Sequence, residues 1–226
     1  MHPAVDESWT LVDSYFEQVL HLQDAALAHA LERARAAGLP AHEVAPNQGR
    51  LLQIFAQMVR ARRILEIGTL GGYSTIWLAR ALPPGGRLLS LERDPACARV
   101  ARQNLAAAGL ADCVEIVEGD AHASLRQLID RGVPPYDLIF LDANKADNPR
   151  YLDASLALAR DGTVIVGDNI IRGGRIADPA ARDQADVRGA RRFLEALGRD
   201  LRLTATAIQT VGGKGWDGFS LAVVSR

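Results

Sequence analysis

The stretch Ile64-Leu65-Glu66-Ile67-Gly68-Thr69-Leu70-Gly71-Gly72-Tyr73-Ser74 does most to limit how this chain can fold. A short run of β-prone positions enters a glycine-rich bend, and an amphipathic pattern (Ile76, Trp77, Leu78, Ala81, Leu82) follows it. That succession predicts a strand, a tight loop and a helix, the opening of a nucleotide-binding βαβ unit. The carboxylate at Glu66 narrows the ligand. Loops of this kind turn backbone N–H groups and a helix N-terminus toward anionic oxygens, and an acid just before the glycines repels a pyrophosphate. It suits a ligand with an ammonium or sulfonium charge and no phosphate, a description that S-adenosylmethionine (SAM) fits. Glycine patterns alone also occur in turns that hold nothing, so the acid carries the inference.

The rest of the chain repeats the alternation. Strands are predicted at Ile64–Ile67, Arg87–Leu91, Val114–Val117, Leu138–Leu141 and Thr163–Gly167, with helices between them that end at Leu82, run from Pro95 to Ala108 and from His122 to Asp130, and start at Pro149. Alternating strands and helices imply a parallel sheet covered on both faces. A helix over Asp183–Leu197 precedes two last strands, Arg202–Gln209 and Phe219–Val224, on either side of the turn-rich Gly212–Gly218. So short a link joins antiparallel neighbours. The expected fold is therefore α/β, a seven-stranded, mostly parallel Rossmann-like sheet with a reversed last strand, which is more typical of methyltransferases than of dinucleotide dehydrogenases. At 226 residues, a single domain over 1–226 is expected. Residues 1–60 form an N-terminal helical extension on it: one helix over Asp6–Ala37, then a second over Asn47–Arg60.

Charge and cysteine content exclude several classes. Lys plus Arg number 26 against 27 Asp plus Glu, for a net charge of −1, so there is no nucleic-acid footprint. No apolar run approaches the roughly 18 residues of a membrane span, and the N-terminus does not read as a signal peptide. Cys97 and Cys113 show neither a CxxC spacing nor histidine partners. A cytoplasmic protein with no membrane or nucleic-acid partner is the expectation.

Ligands of open α/β sheets sit beyond the carboxyl ends of the strands, so the residues following each strand matter most. Glu92 follows the second strand and is placed to accept both hydroxyls of a ribose. After the third comes Glu118-Gly119-Asp120-Ala121-His122, where Asp120 or its neighbouring backbone can meet an adenine amino group and His122 starts a helix. The fourth ends in Asp142-Ala143-Asn144-Lys145 and the fifth in Asp168-Asn169. Two carboxylates and a side-chain amide thus converge from adjacent strands. All-oxygen ligation suits a hard divalent ion such as Mg²⁺, with Mn²⁺ or Ca²⁺ as alternatives. A lysine beside bound cations gives up its proton more readily than one in water, which makes Lys145 a candidate base.

These residues resemble the cation-dependent O-methyltransferase family that includes catechol and caffeoyl-CoA O-methyltransferases, and its bacterial members most of all. The carriers are Leu65–Thr69 with Gly72-Tyr73-Ser74, then Asp137–Lys145, Gly167-Asp168-Asn169 and Gly215–Phe219, and the resemblance runs from Val44 to the C-terminus. It implies that Asp142, Asp168 and Asn169 bind the metal and that Lys145 is the general base. Glu66, the Gly68-Thr69 backbone and Ser74 would hold the methionine portion of SAM, Glu92 the ribose, and Asp120 with Ala121 the adenine side. Val44 would lie over the cofactor, and Asp142 would be shared between metal and cofactor. A small-molecule phenolic acceptor and a homodimer are implied in the same way. The sequence departs from the family at Ala143 and Asn144, which are small where the animal catechol enzymes are bulky; Asn144 also stands where plant-like and bacterial members usually carry an acid. The segment Lys145–Tyr151 is one residue longer than the plant pattern, so no caffeoyl-CoA preference is carried over. The N-terminal helix and the Arg172–Asp178 loop are expected to form much of the acceptor wall. Competing readings are a nicotinamide-dependent oxidoreductase, a SAM-binding protein without turnover, and metal-independent methylation of nitrogen.

Overall fold

The computed structural model describes residues 6–225; residues 1–5 and 226 of the expected domain lie outside the described residues. The strands are β1 (Arg63–Ile67), β2 (Arg87–Glu92), β3 (Val114–Glu118), β4 (Tyr136–Leu141), β5 (Ala159–Asp168), β6 (Leu203–Gly212) and β7 (Gly215–Val224). They form one sheet in the order β3-β2-β1-β4-β5-β7-β6. Strands β1 to β5 pair in parallel, while β7 runs antiparallel to both of its neighbours. The sheet therefore carries the reversed last strand that the short terminal link implied. Its order turns back at β1, which has β2 on one side and β4 on the other, and this switch point opens the ligand crevice.

The helices are α1 (Glu7–Val19), α2 (Ala25–Ala36), α3 (Pro46–Met58), α4 (Tyr73–Ala79), α5 (Pro95–Ala107), α6 (Ala121–Asp130), α7 (Asn148–Ala157) and α8 (Ala185–Arg199). They cover the sheet on both sides, so the central strands read as continuous apolar runs: every residue of β4 is buried. Their side chains still alternate with period two. Ile64, Leu138 and Phe140 join a core with α2 to α5, whereas Leu65, Ile67, Ile139 and Leu141 join the opposite core with α6 to α8. Among the described residues no helix is long and apolar enough to cross a membrane.

Three expected boundaries change. The arm over Asp6–Ala37 is two helices, because His21 takes a left-handed φ of +49° and Asp24 caps α2 by accepting from the Leu27 N–H at 3.0 Å. An N-cap set within an apolar repeat is easily read through. Strand β5 begins at Ala159, earlier than Thr163, because α7 already ends at Ala157. The final hairpin turns on Gly213 and Lys214 alone, so Trp216, Asp217 and Gly218 belong to β7. Gly218 is a strand residue pressed against its neighbour, where a Cβ would come within 2.1 Å of the Ile208 carbonyl oxygen.

Candidate active site

A cavity of about 1020 Å³ lies over the carboxyl ends of the parallel strands, and Val44, Gly68, Thr69, Ser74, Glu92, Asp120, Ala121, Asp142, Lys145, Asp168 and Asn169 all line it. Gly68, at φ +100°, begins the loop after β1. A Cβ there would lie 2.3 Å from the Asp142 carbonyl oxygen, so only glycine lets the loops after β1 and β4 touch. Gly72 adopts the left-handed conformation that opens α4.

Glu66 is the sequence-selected residue that does not line the cavity. Its side chain is fully buried beneath the loop. One carboxylate oxygen accepts from Ser74 Oγ at 2.6 Å, and the other from Thr75 Oγ1 at 2.5 Å and Ser90 Oγ at 2.6 Å. Since Ser90 gives its only proton to Glu66, Thr69 must be the donor in the 2.5 Å contact between Thr69 Oγ1 and Ser90 Oγ. Burial outweighs these hydrogen bonds and pushes the Glu66 carboxyl up to about 7. Hydroxyl donors thus converge on Glu66 below the loop, and it adjoins the cavity through Ser74, which lines it. Thr75 and Ser90 carried no signal in the sequence beyond being ordinary core-facing positions.

Glu92 also braces the loop. It accepts from the Thr69 and Leu70 N–H groups at 3.1 and 2.8 Å and from the Asp94 N–H at 2.8 Å, and it still borders the cavity. Asp120 caps α6 by accepting from the Ala123 N–H at 3.0 Å. His122 lies in the first turn of that helix, stacked on Tyr151 at 4.8 Å between ring centroids.

At the other end of the cavity, Lys145 Nζ donates to Asp142 Oδ1 at 2.7 Å, and the lysine is itself buried. Lys145 sits on a single helical turn that Asn144 caps, accepting from the Ala146 N–H at 3.3 Å and donating to Asp147 at 2.8 Å. That amide is thus engaged in holding the turn. Helix α8 packs on the same turn so closely that a Cβ at Gly189 would lie 2.1 Å from the Lys145 carbonyl oxygen. Asp168 ends β5 with 4% of its surface exposed. Asn169 follows in a left-handed conformation, φ +52°, and its N–H donates to Asp168 Oδ1 at 2.8 Å. Burial and then the neighbouring Asp142 push the Asp168 carboxyl up to about 7, against the opposing pull of Lys145 and the Gln48 side chain. Gln48, contributed by α3, was not legible as a site residue. From the predicted acceptor wall, Asp13 and Leu20 of the N-terminal arm and Arg172 of the loop after β5 reach the cavity.

This donor set fits a hard divalent cation. It offers two carboxylates and one side-chain amide at neighbouring strand ends, with one lysine to balance two acids. Among the described residues no group of three or more His, Cys, Asp or Glu forms a metal cluster, and here the third donor is an amide. The glycine-lined loop across the cavity leaves room for a nucleoside-sized ligand.

Comparison with known proteins covers nearly the whole chain. An O-methyltransferase family model matches residues 20–222. A catechol O-methyltransferase of Niastella koreensis is 48% identical over 213 residues, covering 94% of this chain and 96% of its own length. The O-methyltransferase of Bacillus cereus, solved in complex with SAH, superposes with a TM-score of 0.94 at 49% identity, over 97% of this chain and 99% of that one. A Streptomyces achromogenes O-methyltransferase solved with SAM gives a TM-score of 0.93 at 48% identity, over 97% and 98%.

Proposed function

We propose that this chain, which belongs to the O-methyltransferase family, moves a methyl group from SAM to one hydroxyl of a vicinal dihydroxy aromatic compound, with a divalent metal, Mg²⁺ first, in the site. The observation that carries this reading is one cavity shared by the Gly68–Ser74 loop and by Asp142, Lys145, Asp168 and Asn169. The relatives solved with SAM and SAH, and the catechol O-methyltransferase of similar sequence, support it.

When bound, SAM supplies the electrophilic methyl group, and the cation acidifies a hydroxyl that it chelates. Ser74, oriented by Glu66, and the Gly68-Thr69 backbone bind the methionine portion. Glu92 takes the ribose, Asp120 and Ala121 take the adenine edge, and Val44 covers the cofactor. Asp142, Asp168 and Asn169 hold the metal, with Asp142 shared by the cofactor's amino group. Lys145 Nζ receives the proton of the attacking hydroxyl, and Asp142 Oδ1 keeps that nitrogen in place. Rate comes chiefly from fixing donor and acceptor against each other in one cavity.

A homodimer belongs to this proposal. Helix α1 buries none of its residues. Leu11, Tyr15 and Val19 on it, Met58 on α3 and Val211 on β6 are exposed large apolar side chains, an excess that a second copy would cover.

The test is incubation with SAM and a panel of catechols, with and without EDTA. The expected outcome is SAH formation that stops on chelation and returns with added Mg²⁺. Turnover that ignores EDTA would remove the metal from the reading. Absence of turnover on every vicinal diol would remove the acceptor class.

A further inference from the structure

The loop after β5 sets unspent positive charge on the acceptor side of the cavity. Arg172 adopts a left-handed φ of +58°. Asp217 holds it there, accepting through Oδ1 from the Ile171 and Arg172 N–H groups at 3.0 Å each and from the Gly218 N–H at 3.0 Å. Gly174 lies against Trp216 so tightly that a Cβ would come within 2.5 Å of the indole ring. The loop is thus fixed on both flanks, and the arginine with it. Arg172 Nε and Nη2 donate to Asp186 Oδ2 at 3.0 and 2.7 Å, and Arg175 Nη2 donates to the same oxygen at 2.9 Å. One carboxylate oxygen therefore serves two guanidiniums. The nearby Asp217 is turned toward backbone amides. Among the described residues Arg172 Nη1 has no hydrogen-bond partner, and Arg172 lines the same cavity as Asp168 and Asn169. The bias extends beyond the contact: Arg172 to Arg199 contains seven arginines against four carboxylates, in a chain whose net charge is −1.

We propose that the methyl acceptor carries a carboxylate on the ring, away from its two hydroxyls, and that Arg172 is the specificity-determining residue that receives it. The inference rests on the vicinal-diol reading above and names the class of diol. A guanidinium with a shared partner keeps both charge and a free N–H edge, and a carboxylate matches that edge better than any neutral group. Because Asp186, Asp217 and Trp216 already order the loop and its arginine, little freedom is lost when the anion docks. The surplus of arginines on α8 adds a field that draws an anion toward the same wall. Arg175, tied to Asp186 and to Gln184, keeps Asp186 from neutralising Arg172 fully.

The test compares kcat/KM for 3,4-dihydroxybenzoate and for its neutral near-isostere 3,4-dihydroxybenzamide, with SAM and Mg²⁺ present, in the native protein and in Arg172→Gln. The native protein is expected to favour the acid by about tenfold, the equivalent of one charge-assisted contact. That preference should shrink as salt rises from about 0.05 to 0.5 M. In Arg172→Gln the acid-to-amide ratio should fall by about tenfold while SAM affinity stays within about threefold. Ratios that match between native protein and variant overturn the assignment, as does a native preference for the amide that salt leaves unchanged. If neither compound is methylated, the diol reading fails and the inference goes with it; methylation of both at equal efficiency overturns the anion assignment alone. Should the variant fail to fold, the native ratio and its salt dependence decide.

Discussion

A carboxylate withdrawn from water must be met by donors or give up its charge, and Glu66 meets three hydroxyls yet still sits at about 7. Its neutral form is the one the fold favours, while the unfolded chain titrates near 4.5. The stability this group contributes is therefore complete below pH 4.5 and lost as pH rises through about 7, a total of about 3 kcal/mol. Glu66→Gln removes that proton linkage. Between pH 5 and pH 8, the native protein without metal or cofactor should lose about 6 °C more in melting temperature than the variant does. Parallel melting curves would show that the burial of Glu66 has no such cost. The sequence revealed an acid in the right loop but not its direction. Direction depends on Thr75 and Ser90, which stand 9 and 24 positions away and meet Glu66 only when α4 and β2 pack against β1. The positions of Asp142, Asp168 and Asn169 were legible for the opposite reason: each lies at the end of an apolar strand or just beyond it, so the strand pattern alone sets its place.

Elements were read best where period and punctuation agreed. Strands β1, β2 and β4 are flanked by glycine or proline, and their apolar runs match the sheet within two residues. The N-terminal arm failed because its apolar repeat continues across two helices, and only the capping by Asp24 marks the break. The last hairpin failed because glycines serving close strand contact look like turn residues. What no pattern could show is the meeting of α8 with the turn that carries Lys145. Gly189→Ala, whose Cβ would meet the Lys145 carbonyl at 2.1 Å, must push that turn aside. On the proposed mechanism, turnover number should drop by about a hundredfold while SAM affinity changes by less than about threefold. Calorimetric SAM binding beside steady-state rates checks the pair, and full turnover in the variant would free Lys145 from any need of that packing.

For the whole molecule, the hairpin between β6 and β7 ties the N-terminal arm to the cavity. Asp13 on α1 accepts from the Gly213 N–H at 2.8 Å and from Asn47 at 3.1 Å. Lys214 reaches Glu43 at 2.9 Å, beside Val44. Leu11, Tyr15, Met58 and Val211, left outside, lie on this same assembly, which is why the proposal places a second copy there. Sedimentation equilibrium should give a dimer for the native protein and a monomer for Leu11→Glu combined with Tyr15→Glu, whereas a native monomer would remove the dimer and a variant dimer would move the interface elsewhere. On the proposed function the sheet joins two half-sites: the loop after β1 for the methyl donor, and the ends of β4 and β5 for the acceptor. The rate of SAH formation by Asp168→Ala, with catechol, saturating SAM and Mg²⁺, tests that division most directly. A loss of about a hundredfold to a thousandfold is expected, several kcal/mol of transition-state stabilisation; a rate within tenfold of the native protein would contradict the account.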